Sequence, residues 1–110
     1  EGIAFQIRII LEAMKGLEDV HTIVLFGGGA KSPVWSQIIA DVTGMKIVVP
    51  ETAEAAGAGA AILAGLAAGE FKRENLPSLS YKRSYEPGER EQEYREKFER
   101  YRKIEYKLWR

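Results

Sequence analysis

Ile23-Val24-Leu25-Phe26-Gly27-Gly28-Gly29-Ala30-Lys31-Ser32-Pro33 changes abruptly from an apolar β-type run to a glycine turn and then to a helix start. The apolar run Ile23 to Phe26, bounded by His21 and the glycines, suits a strand buried on both faces of a parallel sheet. Gly accepts positive φ and has no Cβ, so the triplet lets the chain turn sharply and a ligand approach the main chain closely. Ser32 is placed to cap the next helix, with Pro33 at its first position, where a missing N–H costs nothing. Free N–H groups at such a βα junction favour an anion or a nucleotide. A plain tight connection fits the same glycines. Neither Gly-x-x-x-x-Gly-Lys-Ser/Thr nor a Gly-x-Gly-x-x-Gly between strand and helix is present to decide the matter.

Outward from this junction, Val34, Trp35, Ile38, Ile39 and Val42 repeat at helical spacing up to Gly44, a well-placed C-cap. A short strand from Met45 to Val49, ending at Pro50, completes a βαβ unit and predicts a parallel sheet. Upstream, Ile3, Ile7, Ile10, Leu11, Met14 and Leu17 form one apolar stripe of a helix over 1–18. His21 has no second His or thiol nearby and is expected at a strand edge rather than on a metal.

Downstream, Glu54 to Gly69 is a run of Ala with Gly57, Gly59 and Gly65. Alanine makes it helical, while each glycine costs about 1 kcal/mol against Ala in a solvated helix. Close packing of a smooth Gly57, Ala61, Gly65 face is the expected compensation. Residues 70–88, with Pro77, Pro87 and Gly88, are predicted to run as an extended surface connection ordered by Leu76, Leu79, Tyr81 and Tyr85. The final stretch, Glu89 to Arg110, places Tyr94, Phe98, Tyr101 and Leu108 on one helical face. It also offers four Glu-to-Lys/Arg pairs at i,i+4: Glu91 with Arg95, Glu93 with Lys97, Glu96 with Arg100, and Glu99 with Lys103.

Composition narrows the function. The 110 residues suit one domain at most, and 16 basic against 16 acidic residues leave no global field for nucleic acid or an anionic membrane. The charge is uneven: residues 1–69 carry 4 Lys/Arg and 7 Asp/Glu, residues 70–110 carry 12 and 9. Interleaved glutamates in the last helix oppose a phosphate-binding role. No cysteine is present, which excludes disulfides and thiolate metal sites, and no apolar run approaches the ~20 residues of a membrane helix. A cytoplasmic location is expected.

Glu1-Gly-Ile-Ala-Phe, then Gly27-Gly-Gly-Ala-Lys-Ser-Pro-Val-Trp-Ser-Gln, then Glu54-Ala-Ala-Gly-Ala-Gly-Ala-Ala-Ile-Leu-Ala, in this order, resemble the C-terminal domain of the FGGY carbohydrate kinases, most nearly the xylulose kinase branch. The tail, with Tyr85-Glu86-Pro87 before spaced Tyr94, Tyr101 and Leu108, resembles the family's closing helix. The resemblance covers essentially the whole chain and implies an α/β fold of the ribonuclease-H-like, actin-like ATPase type. It also implies ATP, with Mg²⁺ carried on the nucleotide, bound on this domain while a sugar hydroxyl attacks the γ-phosphate. Gly27, Gly28, Gly29, Ala30, Lys31 and Ser32 are then the nucleotide-binding residues. Gly28 and Gly29 would contact nucleoside and phosphates through the main chain, Ser32 would approach the base, and Lys31 would be either a phosphate partner or a solvated side chain. The family's N-terminal phosphate loop and catalytic Asp match nothing here. Residues 1–110 are therefore expected to be part of a C-terminal domain, to meet the sugar only through the other domain, and to be inactive alone. No base can be chosen among Asp41, Glu51 and Glu54. The alternative is a non-enzymatic module that self-associates, its glycine loop only a turn.

Overall fold

The computed structural model describes residues 1–14, 16, 19–52, 54–77 and 80–109. In chain order they form α1 (Gly2–Met14), β1 (Thr22–Val24), α2 (Pro33–Thr43), β2 (Lys46–Pro50), α3 (Ala55–Ala68), β3 (Tyr81–Tyr85) and α4 (Glu91–Trp109). Short 3₁₀ turns occupy Gly28–Lys31 and Arg73–Asn75. The sheet runs in the order β1-β2-β3. β1 and β2 are parallel, with Ile23 opposite Ile47, as the βαβ expectation requires. Both ends of α2 follow its sequence signals. Ser32 Oγ accepts from Trp35 N at 3.2 Å, and Gly44 ends the helix in the left-handed region at φ 68° while its N–H returns to Ala40 O.

The core lies between α1, α2, β2 and α4. Ala4, Phe5, Ile39, Ala40, Val42, Ile47, Tyr94 and Phe98 are buried together. Phe5 stacks obliquely near Phe98 and Tyr101, at centroid separations of 6.0 and 5.1 Å. Arg8 lies 4.2 Å above the Phe98 ring and donates to Val42 O at 3.0 Å, so one guanidinium serves α4 and a terminal carbonyl of α2. Polar contacts fasten α4 to α1 on either side: Gln6 donates to Tyr101 Oη and to Glu105, and Arg102 pairs with Glu12 at 3.3 Å.

Several expectations change. The α1 stripe is rotated: Ile3, Ile10 and Met14 are exposed, whereas Ala4 and Phe5 are buried, because α4 and α2 approach α1 along a single line rather than across its whole apolar arc. β1 is covered on one face only. Ile23 and Leu25 pack on the core while Val24 and Phe26 are 43% and 56% exposed, since no described helix lies over the other face. The 70–88 connection contains a strand, β3, antiparallel to β2, with Ile47 opposite Tyr85. Tyr85 packs on the core, but Leu76 and Tyr81 are exposed and so do not order the segment. On α4, Tyr94, Phe98 and Tyr101 face inward and Leu108 is 73% exposed, because the helix outruns α1 at that end. Of its four predicted ion pairs, Glu91–Arg95 and Glu93–Lys97 close, at 3.6 and 3.3 Å. Leu17 and Leu79 lie outside the described residues.

α3 is helical as predicted, yet it buries no residue, and the Gly57, Ala61, Gly65 face is not packed on another backbone. Its glycines differ. A Cβ on Gly65 would stand 2.4 Å from the Phe71 ring, while one on Gly59 would meet nothing within 4 Å. Gly59→Ala should therefore raise stability by about 0.5–1 kcal/mol through helix propensity, and Gly65→Ala should lower it by displacing Phe71. Thermal melts of the two variants check this.

A second expectation concerns pH. Tyr94 Oη donates to Glu1 at 3.2 Å, and Lys97 Nζ donates to the same carboxylate at 3.3 Å. The Lys97 hydrogen bond holds the Glu1 carboxyl below its ordinary value, and burial pushes the Tyr94 phenol up. Glu1 thus stabilises the fold above its unfolded pKa, and that contribution is lost as pH falls through the folded value. Tyr94 acts oppositely: its contribution is complete below its unfolded pKa and disappears as pH rises through the folded one. Tyr94→Phe should flatten the alkaline part of a stability–pH profile while costing about 1 kcal/mol near neutrality.

Candidate functional site

The glycine loop stands where β1 and β2 reach their carboxyl ends, the side of a parallel sheet on which ligands gather. Gly27 has φ 92°, a value that excludes most side chains, and it starts the 3₁₀ turn. Within the turn Ala30 N donates to Gly27 O and Ser32 N donates to Gly29 O. The N–H groups of Gly28 and Gly29 have no carbonyl partner among the described residues.

Two adjoining clefts open on this loop. The smaller, of about 140 Å³, is lined by Phe26, Gly27, Ala30, Lys31, Val49, Pro50, Glu51, Thr52, Lys82 and Arg83. The larger, of about 370 Å³, lies between the loop and the start of α3, and is lined by Phe26, Gly27, Gly28, Lys31, Glu54, Ala55 and Ala56. The first turn of α3 has no side-chain cap, so its leading N–H groups, the positive end of the helix dipole, border this space.

Of the residues singled out from the sequence, Gly27, Gly28 and Lys31 line the larger cleft, and Gly27, Ala30 and Lys31 line the smaller. Gly29 and Ser32 line neither. Gly29 is held against Trp35, where a Cβ would stand 2.5 Å from the indole ring, and Ser32 Oγ already accepts the Trp35 N–H. Gly28 differs from both neighbours: a Cβ there would meet nothing within 4 Å, and its φ is not positive. Neither turn geometry nor packing within the chain requires glycine at position 28.

The sequence reading of 70–88 as an extended surface connection does not single out Lys82 and Arg83, which the structure places on a paired strand. The sequence trace of β3 is Tyr81 and Tyr85 in an otherwise polar run, with no hydrophobic alternation between them. Among the three acids near the loop in sequence, Asp41 is buried and accepts from Gly88 N at 2.7 Å and Gln37 Nε2 at 2.9 Å, which makes it a structural anchor. Glu51 and Glu54 line the clefts. No group of three His, Cys, Asp or Glu able to hold a metal occurs among the described residues. No described helix is long and apolar enough to cross a membrane.

The model of the FGGY family of carbohydrate kinases, C-terminal domain, matches residues 1–68. The chain belongs to this family. Its FGGY relatives include the autoinducer-2 kinase of Yersinia pestis (strain Pestoides F), 38% identical over 78 residues that cover 59% of this chain and 15% of that kinase. The autoinducer-2 kinase of Enterobacter sp. (strain 638) is 51% identical over 51 residues, 46% of this chain and 10% of that one. Among solved structures, a xylulose kinase from Brucella ovis superposes with TM-score 0.86 at 29% identity, over 97% of this chain and 23% of its own. Plasmodium falciparum glycerol kinase, solved with ADP, shares the fold with TM-score 0.72 at 22% identity, over 99% of this chain and 23% of its own. The fold is thus that of the sugar kinases, the actin-like ATPase type. The chain spans less than a quarter of the length of any of these four kinases.

The unequal glycines predict unequal substitutions. Gly29→Ala should cost about 1–3 kcal/mol by overpacking against Trp35, with a change in tryptophan emission. Gly28→Ala should stay within about 0.5 kcal/mol of the parent chain. Chemical denaturation followed by fluorescence checks both.

Proposed function

We propose that this chain supplies the adenine-nucleotide wall of a cytoplasmic sugar kinase, in which the ATP γ-phosphate passes to a sugar hydroxyl. The observation that carries the proposal is Gly28, a glycine that neither backbone geometry nor packing among the described residues requires, with an N–H that has no carbonyl partner among them, beside a cleft that also receives the N-terminus of α3. A glycine in that position leaves room for a nucleotide to lie against the main chain, and the two sets of free N–H groups suit its phosphates. Gly27 and Gly28 would hold the nucleotide through the backbone, Ala30 would floor the smaller cleft, and Lys31 would face the phosphates, while Gly29 seats Trp35. Ser32 would act chiefly by fixing α2, since its oxygen serves the helix cap.

Mg²⁺ would arrive on the nucleotide phosphates, where it neutralises developing charge during transfer. The sugar and the group that removes its proton belong to the other domain of the kinase, so residues 1–110 alone should show no sugar-dependent ATP turnover. Xylulose is the acceptor that the family resemblance favours; the autoinducer-2 kinases among the relatives add autoinducer-2 to the panel. Self-association is a second reading, favoured by exposed Ile3, Ile10, Met14, Phe26 and Leu63.

ADP titration followed by amide resonances should show shifts centred on Gly27–Lys31 and the start of α3. Gly28→Val, which fills the cleft without disturbing Trp35, should weaken ADP binding at least tenfold while leaving the melting temperature near that of the parent. Equal affinity in parent and variant would return the loop to a plain turn. Light scattering across a hundredfold dilution tests the second reading, and a monomer at every concentration refutes it.

A further inference from the structure

The smaller cleft carries a charge pattern that the glycine loop does not explain. Its charged lining residues are Lys31, Lys82, Arg83 and Glu51, three cations against one carboxylate. Among the described residues, none of the three cations closes an ion pair, although seven pairs of a Lys or Arg side chain with a carboxylate form elsewhere. Cations left without partners around a concave site repel one another and favour an anion between them.

The way β3 delivers two of them is unusual. Consecutive residues of a regular strand face opposite sides of the sheet, yet Lys82 and Arg83 line the same cleft. The ladder explains how. Arg83 pairs with Val49 and Tyr81 pairs with Pro50, so Lys82 is an extra residue with no partner across the strand. Such a bulge bends the strand and re-aims its side chains, which frees Lys82 from the alternation. Pro50 has no N–H to offer the ladder, so the irregularity falls where regular pairing is weakest.

We infer that Lys31, Lys82 and Arg83 form a phosphate-recognising subsite at the carboxyl end of β2, its two β3 cations brought together by the bulge. Arg83 offers a planar fork suited to two phosphate oxygens, and the two lysines add point charges. Glu51 opposes the anion and limits its affinity. The inference rests on the nucleotide reading only for the molecule that carries the phosphate: it can be the polyphosphate of a nucleotide in the adjoining cleft, or a separate phosphate or phosphate monoester.

The test uses the full chain at low ionic strength, with adenosine, ADP, pyrophosphate and inorganic phosphate as separate probes, read by amide shifts and titration. Pyrophosphate should shift Lys31, Lys82 and Arg83. The pair Lys82→Gln with Arg83→Gln should weaken pyrophosphate by about tenfold or more at an unchanged melting temperature, Lys82→Arg should retain it, and Glu51→Gln should strengthen it. A parallel loss for ADP with adenosine unaffected assigns the subsite to the nucleotide's own phosphates. Loss for pyrophosphate and inorganic phosphate with ADP unaffected assigns it to a separate anion. Pyrophosphate binding without any adenosine or ADP binding supports the subsite and overturns the nucleotide reading alone. Pyrophosphate affinity equal in parent and double variant, or shifts that avoid all three residues, overturns the subsite.

Discussion

Phe98 is the residue on which the other elements lean. Its ring is fully buried, faces Phe5 of α1, and carries the Arg8 guanidinium at 4.2 Å, so the first and last helices are joined through a single aromatic plane. Arg8 passes that constraint to α2 by donating to Val42 O. α2 transmits it along its length of about 16 Å to Ser32, whose cap sets the position of the glycine loop. A second strap acts on the C-terminal part of α2, through Gln37 and Asp41. Asp41, buried, accepts the Gly88 N–H, and Gln37 donates to Glu86 O, which ties the β3–α4 connection to the helix. The glycine loop is therefore positioned, through α2, by the same core that joins α1 to α4.

The three consecutive glycines look equivalent as letters and are not equivalent as structure. Gly27 supplies a left-handed backbone angle, Gly29 yields space to the Trp35 ring, and Gly28 does neither. Two of the three are thus consumed by making the turn and seating α2. Gly28 alone is left without a reason in the described fold, and it is the glycine that points to a ligand.

The β1–α2–β2 unit, both caps of α2, the helical run of α3 and the inward Tyr94 and Phe98 were legible in the sequence because each rests on local rules: apolar runs, Ser-Pro at a helix start, Gly at its end, and a period of 3.6. What escaped depends on partners. The apolar arc of α1 is wide enough to accept several neighbours, and only the approach of α4 selects Ala4 and Phe5 over Ile3 and Ile10. An apolar run such as Ile23 to Phe26 records that a strand is compatible with two covered faces, not that both covers lie within this chain. β3 failed differently. Its Tyr81, Lys82, Arg83 and Ser84 are all exposed, so no hydrophobic alternation betrayed a strand whose pairing rests on main-chain hydrogen bonds with β2. The basic side of the candidate site was lost with it.

α3 extends the reasoning applied to Gly28. A solvated helix has no use for Gly57 and Gly59, each of which costs about 1 kcal/mol against Ala. No residue of α3 is buried; a Cβ on Gly59 would meet nothing, and one on Gly57 only the Glu54 side chain at an ordinary 3.8 Å. Gly65, by contrast, is accounted for by Phe71. Within the loop and α3, the glycines without an internal reason are thus Gly28, Gly57 and Gly59, and the larger cleft lies between those two segments, lined by Gly28 on one side and Ala55 and Ala56 on the other. Gly29 and Gly65, which packing explains, line neither cleft, whereas Gly28 lines the larger one and Gly57 directly follows its lining residue Ala56. That distribution is what a surface shaped around something outside the chain would produce, and it arises without reference to charge, motif or family.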